Sequence, residues 1–444
     1  MPDLRRAGPA GLNLLTASEA AAQIAAKKIT SEALVSDCLA RIEARNPQLH
    51  GWAFVDHTIA LAQARARDKD LAAERPNARG VLHGVPIGIK DVLDTGDMPT
   101  EYGSSIYRGH HPNADSACVA LLRLAGAVIL GKTATTEFAT PVPIGVRNPH
   151  DLERSPGVSS SGSACAVSDF QVPAALGTQT GGSVIRPATY CGLFGYKASL
   201  AGLDRGNIRQ LRPTLDTLGY MTRSIDDIVL IRRALAAARP APGPARKPKL
   251  GVCRTPQWSA AQPEIVQAFE ASTKRLGAAA DLVPVDLPPV FDGILETFRV
   301  IATVEGYAAL AEEMGEHLDR MNHWLKETAA MMSRMEAAAY ERAQSHAIAC
   351  RNALLAILGG LDGIITPAAS GEAPKNLTDV EDSSFNSLWT LMHGPCITIP
   401  AFTGPNHMPI GLQVVGAIGS DDATIALSRW VADRLGGIPH ALAA

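Results

Sequence analysis

Residues 159–163 read Ser-Ser-Ser-Gly-Ser and residues 177–183 read Gly-Thr-Gln-Thr-Gly-Gly-Ser, two loops of small side chains flanking the stretch Ala164 to Val172. Side chains this small cannot build a core, so the loops serve backbone geometry or catalysis. A serine hydroxyl becomes a useful nucleophile when a neighbouring base takes its proton and backbone N–H groups receive the developing oxyanion. Gly181 and Gly182 supply unencumbered N–H groups beside Ser183. Histidine is the usual base, yet none of the twelve histidines stands in a nucleophile-elbow or triad context. Lysine is the other option. Gly84-Val-Pro-Ile-Gly-Ile-Lys-Asp puts Lys90 at the end of a short buried strand around Ile87 and Ile89. Burial there disfavours the charged ammonium and lowers its pKa toward a value at which the neutral amine accepts a proton.

Around these loops the pattern alternates between strand and helix. Thr16 to Asp70 reads as packing helices, one run starting at Ser18-Glu-Ala and a second at Thr30-Ser-Glu-Ala-Leu-Val behind a Ser or Thr cap. Residues 115–131 join a helix to the strand Ala127-Val-Ile-Leu, with Gly131-Lys-Thr opening the following turn. The Pro-rich residues 237–248 read as an exposed connector before the strand Leu250-Gly-Val-Cys. Glu264 to Leu358 is Ala-rich and largely helical, and Met331, Met332 and Met335 suit a region that re-packs around varied shapes. Strands return at Gly363-Ile-Ile-Thr-Pro, Cys396-Ile-Thr-Ile-Pro and Gly411-Leu-Gln-Val-Val-Gly, before a terminal helix from Asp421 to Leu435. The expected organisation is one domain over 1–444. It comprises N-terminal packing helices (16–70), a catalytic core (80–235 and 360–435), the connector (237–248) and a helical specificity region (264–358).

Composition narrows the function. The net charge of −3, from 41 basic and 44 acidic residues with no Lys/Arg block, gives no electrostatic grip on nucleic acid or anionic lipid. A small, largely apolar or neutral substrate is expected. The seven cysteines are scattered, odd in number and never spaced C-x-x-C, which argues against a disulfide framework or a thiolate zinc site. The apolar stretch from Ala117 to Gly131 is broken by Arg123 and too short to span a bilayer, and the N-terminus lacks a signal-peptide core. A cytoplasmic location with no membrane partner is the default expectation.

Five segments together resemble the amidase signature family, from about Thr16 to Arg434. They are Gly84-Val-Pro-Ile-Gly-Ile-Lys-Asp, Ala125-Gly-Ala-Val-Ile-Leu-Gly-Lys-Thr with Glu137-Phe-Ala, Asn148-Pro, Ser159-Ser-Ser-Gly-Ser-Ala, and Gly177-Thr-Gln-Thr-Gly-Gly-Ser-Val-Ile-Arg-Pro-Ala. Thr366-Pro and Pro409-Ile-Gly-Leu-Gln-Val-Val-Gly are similar to it as well. The resemblance implies a single α/β domain: a large twisted mixed β-sheet of about ten strands, covered by helices on both faces. It implies Ser183 as nucleophile, Lys90 as base, and between them Ser159, 24 residues before Ser183 and preceded by a cis peptide bond. The oxyanion would rest against the backbone N–H groups of Thr180, Gly181, Gly182 and Ser183. The implied reaction is hydrolysis of a small-molecule carboxylic amide through an acyl-enzyme, with no metal and no cofactor. A carbamate (urethane) or an aryl ester presents the same attackable carbonyl. From another class comes the amidase-like subunit of a tRNA-dependent amidotransferase, which needs partner proteins and an ammonia channel. A non-catalytic binding relative should have lost one of the three residues, and this chain keeps all three. Members of the family are often homodimers.

Val158 departs from the family pattern, standing where a glycine is usual, and is expected to narrow or reshape the pocket. Arg186 suits either a substrate carboxylate or a tie from its loop to a neighbouring carboxylate. His83, His393 and His407 read as structural or pocket-lining, Cys165 and Cys191 as small buried hydrophobes, and Asp91 stays outside the catalytic set.

Overall fold

Ile-rich and Val-rich runs with no polar alternation form strands buried on both faces, and here they lie at the centre of the sheet. The computed structural model describes residues 11–74, 80–236, 238, 241–375, 377–378 and 380–436. Eleven strands form one sheet: β1 (Trp52–Val55), β2 (Pro86–Lys90), β3 (Val128–Thr133), β4 (Ala174–Gln179), β5 (Phe194–Lys197), β6 (Thr217–Thr222), β7 (Lys249–Val252), β8 (Asp281–Pro284), β9 (Gly363–Pro367), β10 (Cys396–Thr403) and β11 (Pro409–Val415). Their order is β1-β3-β2-β4-β6-β5-β10-β11-β9-β7-β8. β3, β2 and β4 run parallel, as do β9, β7 and β8, and the remaining neighbours are antiparallel. Every residue of β2 and β3 is buried, and each fully buried Ile there contributes about 1.5–3 kcal/mol.

Adjacent residues of a strand point to opposite faces, so they report what covers each face. On β11, Val414 packs into a core with Leu427 and Val431, whereas Val415 packs into another with Ile301, Cys350 and Trp389. Ile364 and Ile365 of β9 divide the same way. Helices therefore cover both faces, fourteen of them among the described residues, and the molecule is a single α/β domain.

Several boundaries differ from the sequence reading. Gly131, Lys132 and Thr133 belong to β3 rather than to the next turn, because buried Lys132 is neutralised by Asp91 at 3.3 Å. β1 interrupts the N-terminal helices and β8 the helical region; both are short edge strands without a strong period-two signal. The first helix is capped by Thr16, whose side chain closes a capping box with Glu19. Met331 and Met332 lie half-buried on the helix His323–Met332, and Met335 follows it. Of the expected connector, residues 237, 239 and 240 lie outside the described residues, as do 1–10 and 437–444 of the expected domain. No helix of the described residues is long and apolar enough to cross a membrane.

Candidate active site

Two parallel neighbours, β2 and β4, deliver the first components: Ile89 pairs with Leu176, which brings Lys90 to the carboxyl end of β4 within reach of Thr178. Open α/β sheets bind ligands at this carboxyl edge. Lys90 is fully buried, and its Nζ donates to Ser159 Oγ at 2.8 Å, to Thr178 Oγ1 at 2.9 Å and to the Thr178 carbonyl at 3.4 Å. Burial lowers its pKa from 10.5 to about 7, opposed by the negative charge of Asp216.

Ser159 precedes the buried helix Ser161–Ser168, and the Val158–Ser159 peptide bond is cis. Both peptide groups of Val158 are held. Its N–H donates to Glu381 Oε2 at 3.1 Å, and its carbonyl accepts from Arg186 Nη2 at 2.9 Å. Arg186 Nε lies 3.0 Å from Glu381 Oε2, and Nη1 donates to the Asp382 carbonyl at 2.8 Å. Ser155 Oγ donates to the other Glu381 oxygen. The Arg186 side chain is 2% exposed, so its charge is spent on this buried pair. Of the two roles the sequence allowed it, the tie to a neighbouring carboxylate is the one the contacts display.

The glycine loop is held from behind. Gln179 Oε1 accepts from the N–H groups of Val184 and Ile185, both at 2.9 Å, while Thr390 Oγ1 donates to the Gly181 carbonyl at 2.8 Å. Thr180 Oγ1 donates to Asp216, whose second oxygen accepts from the N–H groups of Leu211 and Arg212. By contrast, the N–H groups of Thr180, Gly181, Gly182 and Ser183 donate to no protein acceptor among the described residues. Four consecutive unused donors beside a half-buried serine match what an oxyanion needs. The Ser183 hydroxyl likewise makes no side-chain hydrogen bond among the described residues.

Gly182 has a steric reason to be glycine. A Cβ there would stand 2.6 Å from Asn386 Oδ1 and 3.0 Å from Asn386 Cβ. Gly182→Ala is therefore expected to push the loop off the helix Ser384–Leu391 and to lower kcat about 100-fold, the scale set by a displacement of roughly 1 Å at a reacting centre. Steady-state kinetics with a melting curve checks this, the fold being retained.

Thr178, Asp216, Glu381, Asn386 and Thr390 were not singled out from the sequence. Thr178 carried a usable signal, lying inside the quoted glycine-containing segment 177–183. Glu381 and Asn386 carried none, since about 200 residues separate them from what they hold. Asp91 pairs with Lys132 instead of Lys90. His393 Nε2 donates to the Thr214 carbonyl, 2.8 Å away, and burial pushes its pKa down to about 3. Cys165 and Cys191 are fully buried.

The family model described as Amidase matches residues 33–425. One of the glutamyl-tRNA(Gln) amidotransferase subunits of Anaeromyxobacter sp. (strain K) is 31% identical, over 95% of this chain and 96% of that one. Its counterpart in Acidothermus cellulolyticus is 37% identical over 67% of this chain, and the match spans only 63% of its own length. Among solved structures, one described as an amidase superposes with a TM-score of 0.88 at 28% identity, covering 95% of this chain and 100% of the other. The native peptide amidase of Stenotrophomonas maltophilia superposes with a TM-score of 0.83 at 26% identity, covering 96% and 98%.

Proposed function

The chain belongs to the amidase family, and on that premise we propose that it is a serine hydrolase that cleaves the C–N bond of a small carboxylic amide through an acyl-enzyme on Ser183. The observation that carries the reading is a buried lysine, its pKa near 7, in hydrogen-bond contact with Ser159. A neutral amine has two N–H groups and one lone pair. The charged amine donates to Ser159 and Thr178; after it loses a proton, two N–H groups remain for Thr178 and the lone pair faces Ser159.

In the proposed cycle Lys90 draws the proton of Ser159, and Ser159 draws that of Ser183 as its Oγ attacks the carbonyl carbon. The N–H groups of Thr180 to Ser183 hold the oxyanion. The relay returns the proton to the leaving nitrogen, and water then releases the acid by the same route. Every step is assigned to this chain's own groups. Arg186 is assigned to holding the Ser159 turn through Val158 and Glu381, and Val158 to closing the pocket behind the serine.

A second reading is favoured by the 31% identity over nearly the whole chain to one component of an amidotransferase: the amidase-like member of such a complex. The test is hydrolysis by the purified single chain of aryl amides, aliphatic amides and aryl carbamates, following both acid and amine products. Amide turnover without added partners supports the hydrolase. Faster release from carbamates makes it a urethanase, and no turnover without partners favours the complex.

A further inference from the structure

The helix Ala339–Leu358, in the helical region away from the catalytic loops, turns one face to solvent: Ser345, Ile348, Ala349, Asn352, Leu355 and Ala356 are exposed along it. A helix face in water ordinarily carries charged side chains. Here the sole charged residue between Arg342 and Asp362 is Arg351. It is half-buried, and its Nε donates to the Leu391 carbonyl at 3.0 Å, so it does not solvate the face. Ile348 and Leu355 are 51% and 44% exposed, and Ile418, which lines the same groove beside the helix, is 48% exposed. Contiguous apolar surface depleted of charge has the make-up of the centre of a protein–protein interface.

The order of side chains along the helix says which partner fits. When a helix packs antiparallel on its own copy about a twofold axis at Asn352, a residue some number of positions after Asn352 faces the residue the same number before it. That sets Leu355 of one copy on Ala349 of the other, three positions either side, and Ile348 on Ala356, four positions either side. Each large side chain meets a small one, and Gly359 meets Ser345 beyond them. An interface about a twofold axis has to be complementary to itself, a constraint that a face for an unrelated protein does not carry. The alanines let the two helix axes approach to about 8 Å, the close end of helix packing. Asn352, on the axis, meets its own copy, where two side-chain amides exchange hydrogen bonds.

We propose that this face is an interface between two copies of the chain, with the helix Ala339–Leu358 packed antiparallel on its twin about Asn352. The inference stands on this face alone and does not depend on the hydrolase reading.

The test is sedimentation of the purified chain from about 1 to 100 µM, a span that brackets a micromolar dissociation constant. Wild type is expected to be dimeric at the upper end. Leu355→Glu puts a carboxylate from each copy into the seam and should weaken the dimer about 100-fold or more, with the fold retained because the side chain is already half-exposed. Asn352→Cys tests the register. The seven native cysteines are buried, so the new thiol is the reactive one, and mild oxidation should link two chains across the axis. Ser345→Cys should not cross-link, since the pairing holds it about 21 Å from its twin along the helices. A wild type monomeric throughout would overturn the proposal and leave the face to a partner of another kind. A dimer indifferent to Leu355→Glu would place the interface elsewhere, and Ser345→Cys cross-linking as readily as Asn352→Cys would refute the antiparallel packing.

Discussion

Replacing Ser183 with alanine is expected to lower kcat/KM on any amide the wild type hydrolyses by about 10⁴-fold or more, the scale at which loss of a nucleophile leaves only binding and oxyanion stabilisation. The fold should not register the change. Ser183 is half-buried and its hydroxyl holds no neighbouring side chain, so its removal strands no buried polar group. Stability should stay within about 0.5 kcal/mol of wild type, as for other substitutions away from packing and hydrogen-bond networks. A melting curve beside the kinetics makes the distinction. Activity lost together with stability would mark Ser183 as a structural serine of a glycine turn.

Lys90→Met is expected to lower kcat/KM by about 10²- to 10⁴-fold, the usual worth of a positioned base, and at the same time to shift stability in a pH-dependent way. The wild-type kcat/KM should climb about tenfold per pH unit below 7 and level off above it, since only the neutral amine accepts a proton. The sign for stability follows from the same pKa. Unfolded, Lys90 titrates near 10.5; folded, it titrates near 7, so between these values the unfolded chain binds the extra proton. The penalty for burying this lysine is complete below pH 7 and fades as pH rises to 10.5. It amounts to a few kcal/mol, on the order given by a shift of several pKa units. Methionine carries no such penalty, so the melting temperature of Lys90→Met relative to wild type should be higher at pH 6 than at pH 10. A constant difference across that range would mean that Lys90 keeps its ordinary pKa, and the general-base assignment would fail with it.

The fold and the site were legible to different depths, for physical reasons. The central strands and the terminal helix could be read because uninterrupted apolar runs and capped amphipathic runs are local patterns. The strands at the rim, β1 and β8, are four residues each and half exposed, so nothing local distinguishes them from loop. Lys90 was legible because a lysine ending a wholly apolar strand conflicts with burial unless something uses it. The groups that shape its surroundings were not. Asp216 reaches the glycine loop through Thr180, Glu381 reaches the serine turn through Val158 and Arg186, and Asn386 meets Gly182, all across long sequence separations. Arg186 shows the difference most clearly. Its place three residues after Ser183 suggested a substrate contact as readily as a structural one, and only the fold brings Glu381 beside it.

The most direct test of the Ser183, Ser159 and Lys90 assignment is covalent capture with a fluorophosphonate, followed by mass spectrometry. Ser159 and Ser183 fall on one tryptic peptide, because no lysine or arginine lies between them; the adduct must therefore be located by fragmentation. The account predicts a single adduct on Ser183, absent in Ser183→Ala and formed far more slowly in Lys90→Met. An adduct on Ser159 or elsewhere, or labelling indifferent to Lys90, would contradict it.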